Sequence, residues 1–178
     1  MKRKITNLLF FILFITIFLS YRFTLAATTS GTLTQDENWS GTINITGDVI
    51  VPNDVTLTIE PGTTLNFDFL SDDTSGGDDT SLSEIIINGG SLIAEGTPLN
   101  PIVFTSSSGN PLIGDWYGIK FVQSLGNTLS LDYVTVEYTK EHGIKYYCDV
   151  AGVFTASIKH STFRYGNGKG IYLDIRNI

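Results

Sequence analysis

The sequence predicts an all-β protein built as a β-solenoid, with coils of about 25 to 27 residues. Three observations predict it: short alternating apolar runs, turn residues between those runs, and an internal repeat at a fixed offset. No helical periodicity of any length follows Ala26. The rest of the chain therefore forms strands and turns.

The predicted strands are short alternating or β-branched runs at close spacing, typical of the strands of an all-β protein. They are Thr42–Thr46, Asp48–Val51, Val55–Ile59, Thr63–Phe67, Glu84–Ile87, Ile102–Thr105, Gly118–Val122, Leu129–Val136 and Ile171–Ile175. Turn residues lie between them, as in Pro52-Asn53-Asp54 and Gly166-Asn167-Gly168. Proline fixes φ and glycine or asparagine tolerates positive φ, so each of these clusters favours a change of chain direction.

The internal repeat decides between a solenoid and a sandwich. The stretch from Leu131 to Ile144 aligns without a gap on the stretch from Ile158 to Ile171, so the offset is constant throughout. Further upstream, the run Leu57–Ile59 resembles Ile85–Ile87. Each solenoid coil pairs with its neighbours at about 4.8 Å, so apolar positions must recur once per coil. Two packed sheets do not predict such a repeat.

The segment 1–26 is interpreted as a secretory signal peptide with cleavage after Ala26. A basic start at Lys2, Arg3 and Lys4 precedes an apolar run of about a dozen residues, and small residues follow it. That run is short for a membrane span, which needs about 20 residues. Hence we expect no stable span after cleavage, and a secreted or cell-surface protein.

Residues 27–178 are the predicted β-helix domain, and its charge excludes one class of partner. Four of the 11 basic residues leave with the signal peptide, while all 18 acidic residues stay. An acidic surface repels the phosphate backbone, so nucleic acid is not an expected partner. The single cysteine, Cys148, cannot form an internal disulfide and is interpreted as a small apolar filler.

Three segments depart from the regular repeat. Residues 27–47 are less repetitive and are interpreted as an N-terminal cap region. Residues 70–83, rich in aspartate, serine and glycine, are interpreted as a flexible acidic insertion. The last stretch, Gly170 to Ile178, resembles a strand without a polar cap, which would leave an exposed sheet edge. We therefore expect a chain truncated at its C-terminus, with further coils or another domain after Ile178.

Several segments resemble, in order, the opening coils of secreted bacterial right-handed parallel β-helix proteins of the pectin-lyase-like superfamily. They are the segments 48–67, 90–98, 100–106, 114–121 and 131–138. The resemblance implies a right-handed, single-stranded parallel β-helix. It does not select a function, because a fold shared by lyases, hydrolases and adhesins does not fix the chemistry.

The chemistry that the resemblance implies for polysaccharide cleavage is not found. Hydrolases similar to polygalacturonase carry Asn-x-Asp, Asp-Asp, Gly-His-Gly and Arg-x-Lys elements, whereas Glu141-His142-Gly143 lacks the first glycine and no Arg-x-Lys occurs. No catalytic residue is therefore assigned. His142 is interpreted as a turn residue. His160 is interpreted as a strand-face residue aligned with Tyr133, without an assigned partner.

Metal binding has one set of candidates. Asp72, Asp73, Asp78 and Asp79 supply the oxygen ligands that Ca²⁺ prefers, but their spacing matches no defined calcium loop. A solvated, mobile loop is the favoured interpretation, and no other cofactor is expected.

The aromatic residues have two interpretations. The tyrosines of the last two coils stack between coils or form an exposed strip that binds sugar rings, and stacking is favoured. Trp39 and Trp116 each lie next to a turn glycine and are interpreted as packing residues.

These observations favour an exported or cell-surface β-helix module with a structural or carbohydrate-binding role and no catalysis in these coils. Polysaccharide or other cell-surface material is the expected partner. The alternative is the N-terminal part of a polysaccharide lyase or glycoside hydrolase whose active site lies on later coils.

Overall fold

The computed structural model describes residues 27, 29–122, 128–148 and 155–175. Within these ranges the chain forms β-strands and no helix, as the alternating runs predict. The predicted signal peptide, residues 1–26, and the predicted continuation past Ile178 lie outside the described residues.

The strands form three parallel sheets. Sheet A contains β1 (Gly31–Thr32), β4 (Val49–Pro52), β7 (Glu84–Asn88), β10 (Gly118–Val122), β13 (Ile144–Cys148) and β16 (Ile171–Ile175). Sheet B contains β2 (Glu37–Trp39), β5 (Thr56–Ile59), β8 (Ser91–Glu95), β11 (Thr128–Asp132) and β14 (Thr155–Lys159). Sheet C contains β3 (Thr42–Ile45), β6 (Thr64–Phe67), β9 (Ile102–Ser106), β12 (Val134–Glu137) and β15 (Thr162–Arg164).

The chain visits sheets A, B and C in turn and then begins the next coil. Each strand pairs in parallel with its equivalent in the coils before and after it. This topology is a right-handed parallel β-helix, so the predicted fold class is confirmed.

The predicted repeat is confirmed in the last coils. Leu131 pairs with Ile158, and Ile144 pairs with Ile171, as the gapless alignment of the two stretches predicts. An earlier coil is longer: Val49 pairs with Ile85, because the connection between β6 and β7 is extended.

The alignment of Leu57–Ile59 with Ile85–Ile87 is wrong. Leu57 pairs with Leu92 in sheet B, whereas Ile85 belongs to sheet A. Apolar three-residue runs look alike in both sheets, and the long connection after β6 removes the fixed offset that would separate them.

The core is the interior of the solenoid, filled by alternate residues of every sheet. Leu57, Leu92 and Leu129 form one such column in sheet B and are fully buried. Trp39 and Trp116 are fully buried as well, which confirms that they are packing residues. The hydrophobic effect at these positions stabilises the coils, since each coil covers its neighbour's inner face.

One predicted strand, Leu129–Val136, is two strands separated by a corner at Tyr133. The backbone φ of Tyr133 is 48°, in the left-handed region, and this turns the chain from sheet B into sheet C. His160 holds the same corner in the next coil with φ of 45°, and its ring stacks on Tyr133 with centroids 4.5 Å apart. A left-handed residue other than glycine costs about 1–2 kcal/mol, which the ring stacking offsets in part.

Two of the predicted subdivisions have a definite place in the fold. The region 27–47 contains β1, β2 and β3, which pair with β4, β5 and β6. The region 70–83 lies in the connection from β6 to β7. Their roles as cap and flexible insertion stay predictions.

Candidate functional site

The connections from sheet C to sheet A project from one side of the solenoid, which we call the loop side. It comprises residues 46–48, 68–83, 107–117, 138–143 and 165–170. Connections from sheet B to sheet C are shorter, and one of them is the single residue Tyr133. The loop side therefore carries the longer of these two sets of connections. Loops held on a rigid scaffold commonly carry functional residues.

Backbone hydrogen bonds join neighbouring loops of the loop side into one surface. The N–H of Leu70 donates to the carbonyl of Asp115 at 3.0 Å, and the N–H of Gly114 donates to the carbonyl of Tyr138 at 3.2 Å. The N–H of Asn167 donates to the carbonyl of Thr139 at 3.1 Å. These bonds fix the relative positions of loops that come from four successive coils.

Residues 71–83, which we call the strap, are held to the solenoid through Asp72. Its carboxylate accepts hydrogen bonds from the backbone N–H groups of Asp48 at 3.2 Å, Thr74 at 2.9 Å and Gly76 at 3.1 Å. The N–H of Asp73 donates to the carbonyl of Thr46 at 2.9 Å. Aspartate is suited to this turn because its short side chain reaches nearby backbone donors.

Further along the strap, Asp78 lies against two lysines of sheet A. Lys120 on β10 and Lys145 on β13 are direct neighbours in the register of sheet A. Both ammonium groups contact the Asp78 carboxylate, Lys145 at 3.0 Å, and the hydroxyl of Tyr117 lies 3.4 Å from it. One carboxylate thus receives three donors from the solenoid.

The neighbouring residue, Asp79, pairs with Lys140 of the loop 138–143 and accepts a hydrogen bond from the backbone N–H of Ser81 at 3.0 Å. The strap is therefore attached through charge to the two coils that follow it.

These contacts shift the pKa values of both aspartates. Burial raises the pKa of Asp78, but hydrogen bonds from Lys120 and Lys145 outweigh it and hold that pKa below its usual value. The hydrogen bond from Lys140, assisted by Ser81, lowers the pKa of Asp79 to about 2. Both groups are ionised at neutral pH, as an ion pair requires.

Two more carboxyl groups, Asp48 and Glu84, lie beneath the strap, and we call them the carboxyl pair. Their residues are 1% and 0% exposed. The N–H of Glu84 donates to Oδ1 of Asp48 at 3.0 Å, and Oε1 of Glu84 accepts from the N–H of Asp78 at 2.5 Å. Oδ2 of Asp48 and Oε2 of Glu84 accept no hydrogen bond from the described residues.

The carboxyl pair titrates unusually. Burial, assisted by the negative charge of Asp48, raises the pKa of Glu84 to about 7. Burial also raises the pKa of Asp48. Transferring a charged carboxylate out of water is costly, which is why burial raises both pKa values.

A groove lies between the strap and the loop 107–117. Its volume is about 430 Å³, and it is lined by Leu70, Ser81, Leu82, Ile113, Gly114, Lys140 and Asn167. Leu70 is 69% exposed and Ile113 is 57% exposed. The lining thus combines apolar side chains with polar ones, and ligand-binding surfaces need both.

Aromatic rings border the same side. Tyr138 stacks on Tyr165 with ring centroids 5.2 Å apart, and His142 stacks on Tyr172 at 4.5 Å. The guanidinium of Arg164 lies 5.3 Å from the Tyr165 ring centroid. Stacking between coils is thus present at these positions, and Tyr165 nevertheless stays 53% exposed.

The structure gives both histidines partners that sequence analysis did not assign. Nδ1 of His160 lies 2.8 Å from Oδ1 of Asp132. Nδ1 of His142 accepts a hydrogen bond from the backbone N–H of Lys169 at 2.8 Å. Burial lowers the pKa of His142, and the nearby Glu141 opposes this only in part. The interpretation of His142 as a turn residue agrees with its place between β12 and β13.

In the structure, the four candidate calcium ligands have different contacts. Asp72 binds backbone N–H groups, while Asp78 and Asp79 pair with lysines. Asp73 is exposed and contributes its backbone N–H. In the part of the chain that the structure describes, no group of three or more His, Cys, Asp or Glu residues is arranged to hold a metal ion. Calcium binding by these aspartates stays a prediction.

Sequence analysis missed the lysines that meet the strap. A signal for them is present in the charge pattern: between positions 27 and 119 there is no lysine or arginine, and the basic residues begin at Lys120. The first coils are therefore acidic, and the later coils carry the basic residues. Because opposite charges attract, this pattern favours contact between the two parts. The acidic strap makes that contact.

Comparison with known protein families identifies the family of the fold. A family model described as a pectate-lyase like beta helix domain matches residues 27–128. The chain belongs to this family. The matched part of this pectate-lyase-like β-helix domain includes the strap and the carboxyl pair. Searches among curated proteins and among solved structures found no match. In the described ranges, no helix has the length and apolar character needed to cross a membrane.

Proposed function

We propose that this chain is an exported β-helix module that binds carbohydrate on its loop side, with the solenoid as a stiff scaffold. The observation that carries the proposal is the set of large apolar or aromatic side chains that the loop side leaves at least half exposed. They are Phe69, Leu70, Leu112, Ile113 and Tyr165.

Sugar rings fit such a surface. The faces of a sugar ring are apolar and pack on apolar or aromatic side chains, while the hydroxyl groups at its edge need hydrogen-bonding partners. Lys140, Ser81 and Asn167 line the same groove as Leu70 and Ile113 and supply such partners. Because the solenoid repeats along its axis, a chain of sugars could contact several coils in succession.

Export is supported by the N-terminal segment. The order of basic start, apolar run and small residues ending at Ala26 is typical of a secretory signal. The family match begins at residue 27, directly after the expected cleavage point. Expression in the source organism, followed by N-terminal sequencing of the protein outside the cytoplasm, tests this part. A mature chain outside the cytoplasm that starts at Ala27 supports export, and a protein found only in the cytoplasm with Met1 intact contradicts it.

The contacts and burial of four carboxyl groups at the strap support binding rather than catalysis. Asp78 and Asp79 are paired with lysines, and Asp48 and Glu84 are covered by the strap. Glycosidic hydrolysis needs two carboxyl groups that flank the scissile bond and meet the substrate. The alternative, that this is the N-terminal part of a lyase or hydrolase, is favoured by the description of its family as pectate-lyase like.

Affinity electrophoresis tests the proposal. The purified protein is run through gels that contain neutral or acidic soluble polysaccharides, and insoluble polysaccharides are tested by co-sedimentation. Retardation or co-sedimentation with at least one polysaccharide is expected, and mobility unchanged in all of them contradicts the proposal. The same mixtures are assayed for new reducing ends and for ultraviolet absorbance of unsaturated products. Turnover in either assay supports the enzyme instead.

A further inference from the structure

We propose that the carboxyl pair is a binding site for one hard divalent cation, held beneath the strap between Asp48 and Glu84. Neither residue belongs to the four aspartates of the strap that are the predicted calcium ligands. The site is also separate from the groove proposed for carbohydrate, since neither residue lines it. A cation at the carboxyl pair joins the strap to sheet A.

The register of sheet A places the two carboxyl groups side by side. Val49 of β4 pairs with Ile85 of β7, and Asp48 and Glu84 directly precede them. The N–H of Glu84 donates to Oδ1 of Asp48 at 3.0 Å, so the two residues are in contact. Neighbouring strands lie about 4.8 Å apart, and Ca²⁺ takes oxygen ligands at about 2.3–2.6 Å. One ion can therefore bridge carboxylates that project from adjacent strands.

Each carboxyl group has one buried oxygen without a hydrogen bond. Oδ1 of Asp48 and Oε1 of Glu84 accept backbone N–H groups, whereas Oδ2 of Asp48 and Oε2 of Glu84 accept none from the described residues. The two residues are 1% and 0% exposed, so bulk water does not replace the missing donors. Leaving a buried carboxylate oxygen unsatisfied costs free energy. A cation bound by these two oxygens removes that cost.

The carboxyl pair also lacks a counter-charge among the described residues. Asp78 and Asp79 of the strap form ion pairs with lysines, but in the described ranges no lysine, arginine or histidine forms an ion pair with Asp48 or Glu84. A single proton shared by the pair leaves one negative charge buried, whereas a divalent cation neutralises both carboxylates. Because burying an unpaired charge is costly, the cation is favoured.

The strap covers the site. A Cβ atom at Gly77 would overlap Oε1 of Glu84, and one at Gly76 would lie 2.8 Å from Oδ2 of Asp48. Glycine at these two positions lets the strap backbone lie directly against both carboxyl groups. Ligands that the carboxyl pair does not supply would come from the carbonyl groups of this backbone or from water.

This ligand set favours Ca²⁺. In the described part of the chain no three acidic, histidine or cysteine side chains are arranged around one ion, so the pair needs carbonyl groups or water to complete the coordination. Ca²⁺ takes about six to eight oxygen ligands and accepts carbonyl groups and water beside carboxylates. Mg²⁺ demands nearly ideal octahedral geometry and gives up its waters reluctantly, which suits a buried site poorly.

Equilibrium dialysis against Ca²⁺ tests the site. The purified protein is first treated with a chelator, and the Ca²⁺ that it takes up at neutral pH is then measured by elemental analysis. Uptake of one Ca²⁺ per chain is expected, together with a higher urea unfolding midpoint in saturating Ca²⁺ than in chelator. No bound Ca²⁺, or an unchanged midpoint, contradicts the proposal and indicates that a shared proton offsets the carboxyl charges.

Three single variants locate the ion. Glu84→Gln and Asp48→Asn each replace one proposed ligand and are expected to weaken Ca²⁺ binding at least about tenfold, because the amide carries no charge. Asp73→Asn, at an exposed aspartate of the strap, is the matched control and is expected to bind Ca²⁺ as the wild-type protein does. If one ligand variant does not fold, the other provides the test. Wild-type binding in a folded ligand variant, or equal weakening in Asp73→Asn, overturns the assignment of the carboxyl pair as the site.

Discussion

The indole of Trp116 stacks on the ring of Phe67, with centroids 3.8 Å apart and planes 7° from parallel. Phe67 ends β6, whereas Trp116 lies at the end of the loop 107–117, so the pair joins two different coils at the loop side. The Nε1–H of Trp116 also donates to the carbonyl of Glu137 at 2.8 Å. This pair connects the solenoid core to the surface that we propose as the binding site.

Trp116→Ala is expected to lower the free energy of unfolding by about 3–5 kcal/mol, because it removes a fully buried indole and leaves a cavity. Trp116→Phe keeps a ring over Phe67 and loses the hydrogen bond to Glu137, so a smaller loss is expected, about 1–2 kcal/mol. Urea unfolding monitored by circular dichroism measures both. Equal losses in the two variants contradict the role given to ring stacking.

Inward and outward positions of one strand are expected to respond differently. Leu129→Ala removes a fully buried side chain that lies between Leu92 and Ala156, and a loss of about 2–5 kcal/mol is expected. Thr128→Ala, at the adjacent outward position, is expected to change stability by about 0.5 kcal/mol or less. The urea unfolding midpoints of the two variants measure the two losses of stability. Comparable losses would show that β11 does not alternate as described.

Gly77→Ala tests the close approach of the strap to Glu84. The φ of Gly77 is 62°, and a Cβ would meet Oε1 of Glu84. We expect a cost of about 1–2 kcal/mol for the left-handed backbone, with the steric clash in addition. Gly109→Ala is the matched control, because a Cβ there meets nothing within 4 Å. Exchange rates of the strap amides provide the readout, and identical strap protection in the two variants contradicts this account.

His142 is expected to titrate below its usual pKa of 6.5, because burial disfavours the imidazolium and Nδ1 accepts the N–H of Lys169. A lowered pKa means that the histidine contributes stability above about pH 6.5 and loses it as the pH falls through the pKa of the folded state. An NMR titration of the ring proton resonances measures the midpoint. A midpoint at or above the usual value is incompatible with the described environment.

Most of the fold could be predicted because the geometry of a solenoid imposes a repeat on its sequence. Inward positions such as Leu131 and Ile158 must stay apolar once per coil, so the offset is visible without a structure. The pairing of Leu57 with Leu92 was not recoverable in the same way. The connection from β6 to β7, which contains the strap, lengthens this coil and removes the fixed offset.

The candidate site could be predicted only in part. The aspartates of the strap are visible as a cluster, but their partners Lys120 and Lys145 are 42 and 67 residues away from Asp78. No local pattern links residues so distant in the chain, and only the segregation of basic residues after position 119 indicates a contact. The corner at Tyr133 was missed because aromatic residues rarely adopt a left-handed backbone.

Carbohydrate binding on the loop side is tested most directly by the affinity of a groove variant for a polysaccharide that retards the wild-type protein. Leu70→Ser combined with Ile113→Ser removes the two exposed apolar side chains that line the groove, and Leu99→Ser, at a 90% exposed residue in the connection from β8 to β9, is the control. Isothermal titration calorimetry is expected to give at least about tenfold weaker binding for the double variant, equal to about 1.4 kcal/mol, and unchanged binding for Leu99→Ser. Wild-type affinity in the double variant, or equal weakening in the control, would contradict the proposed site.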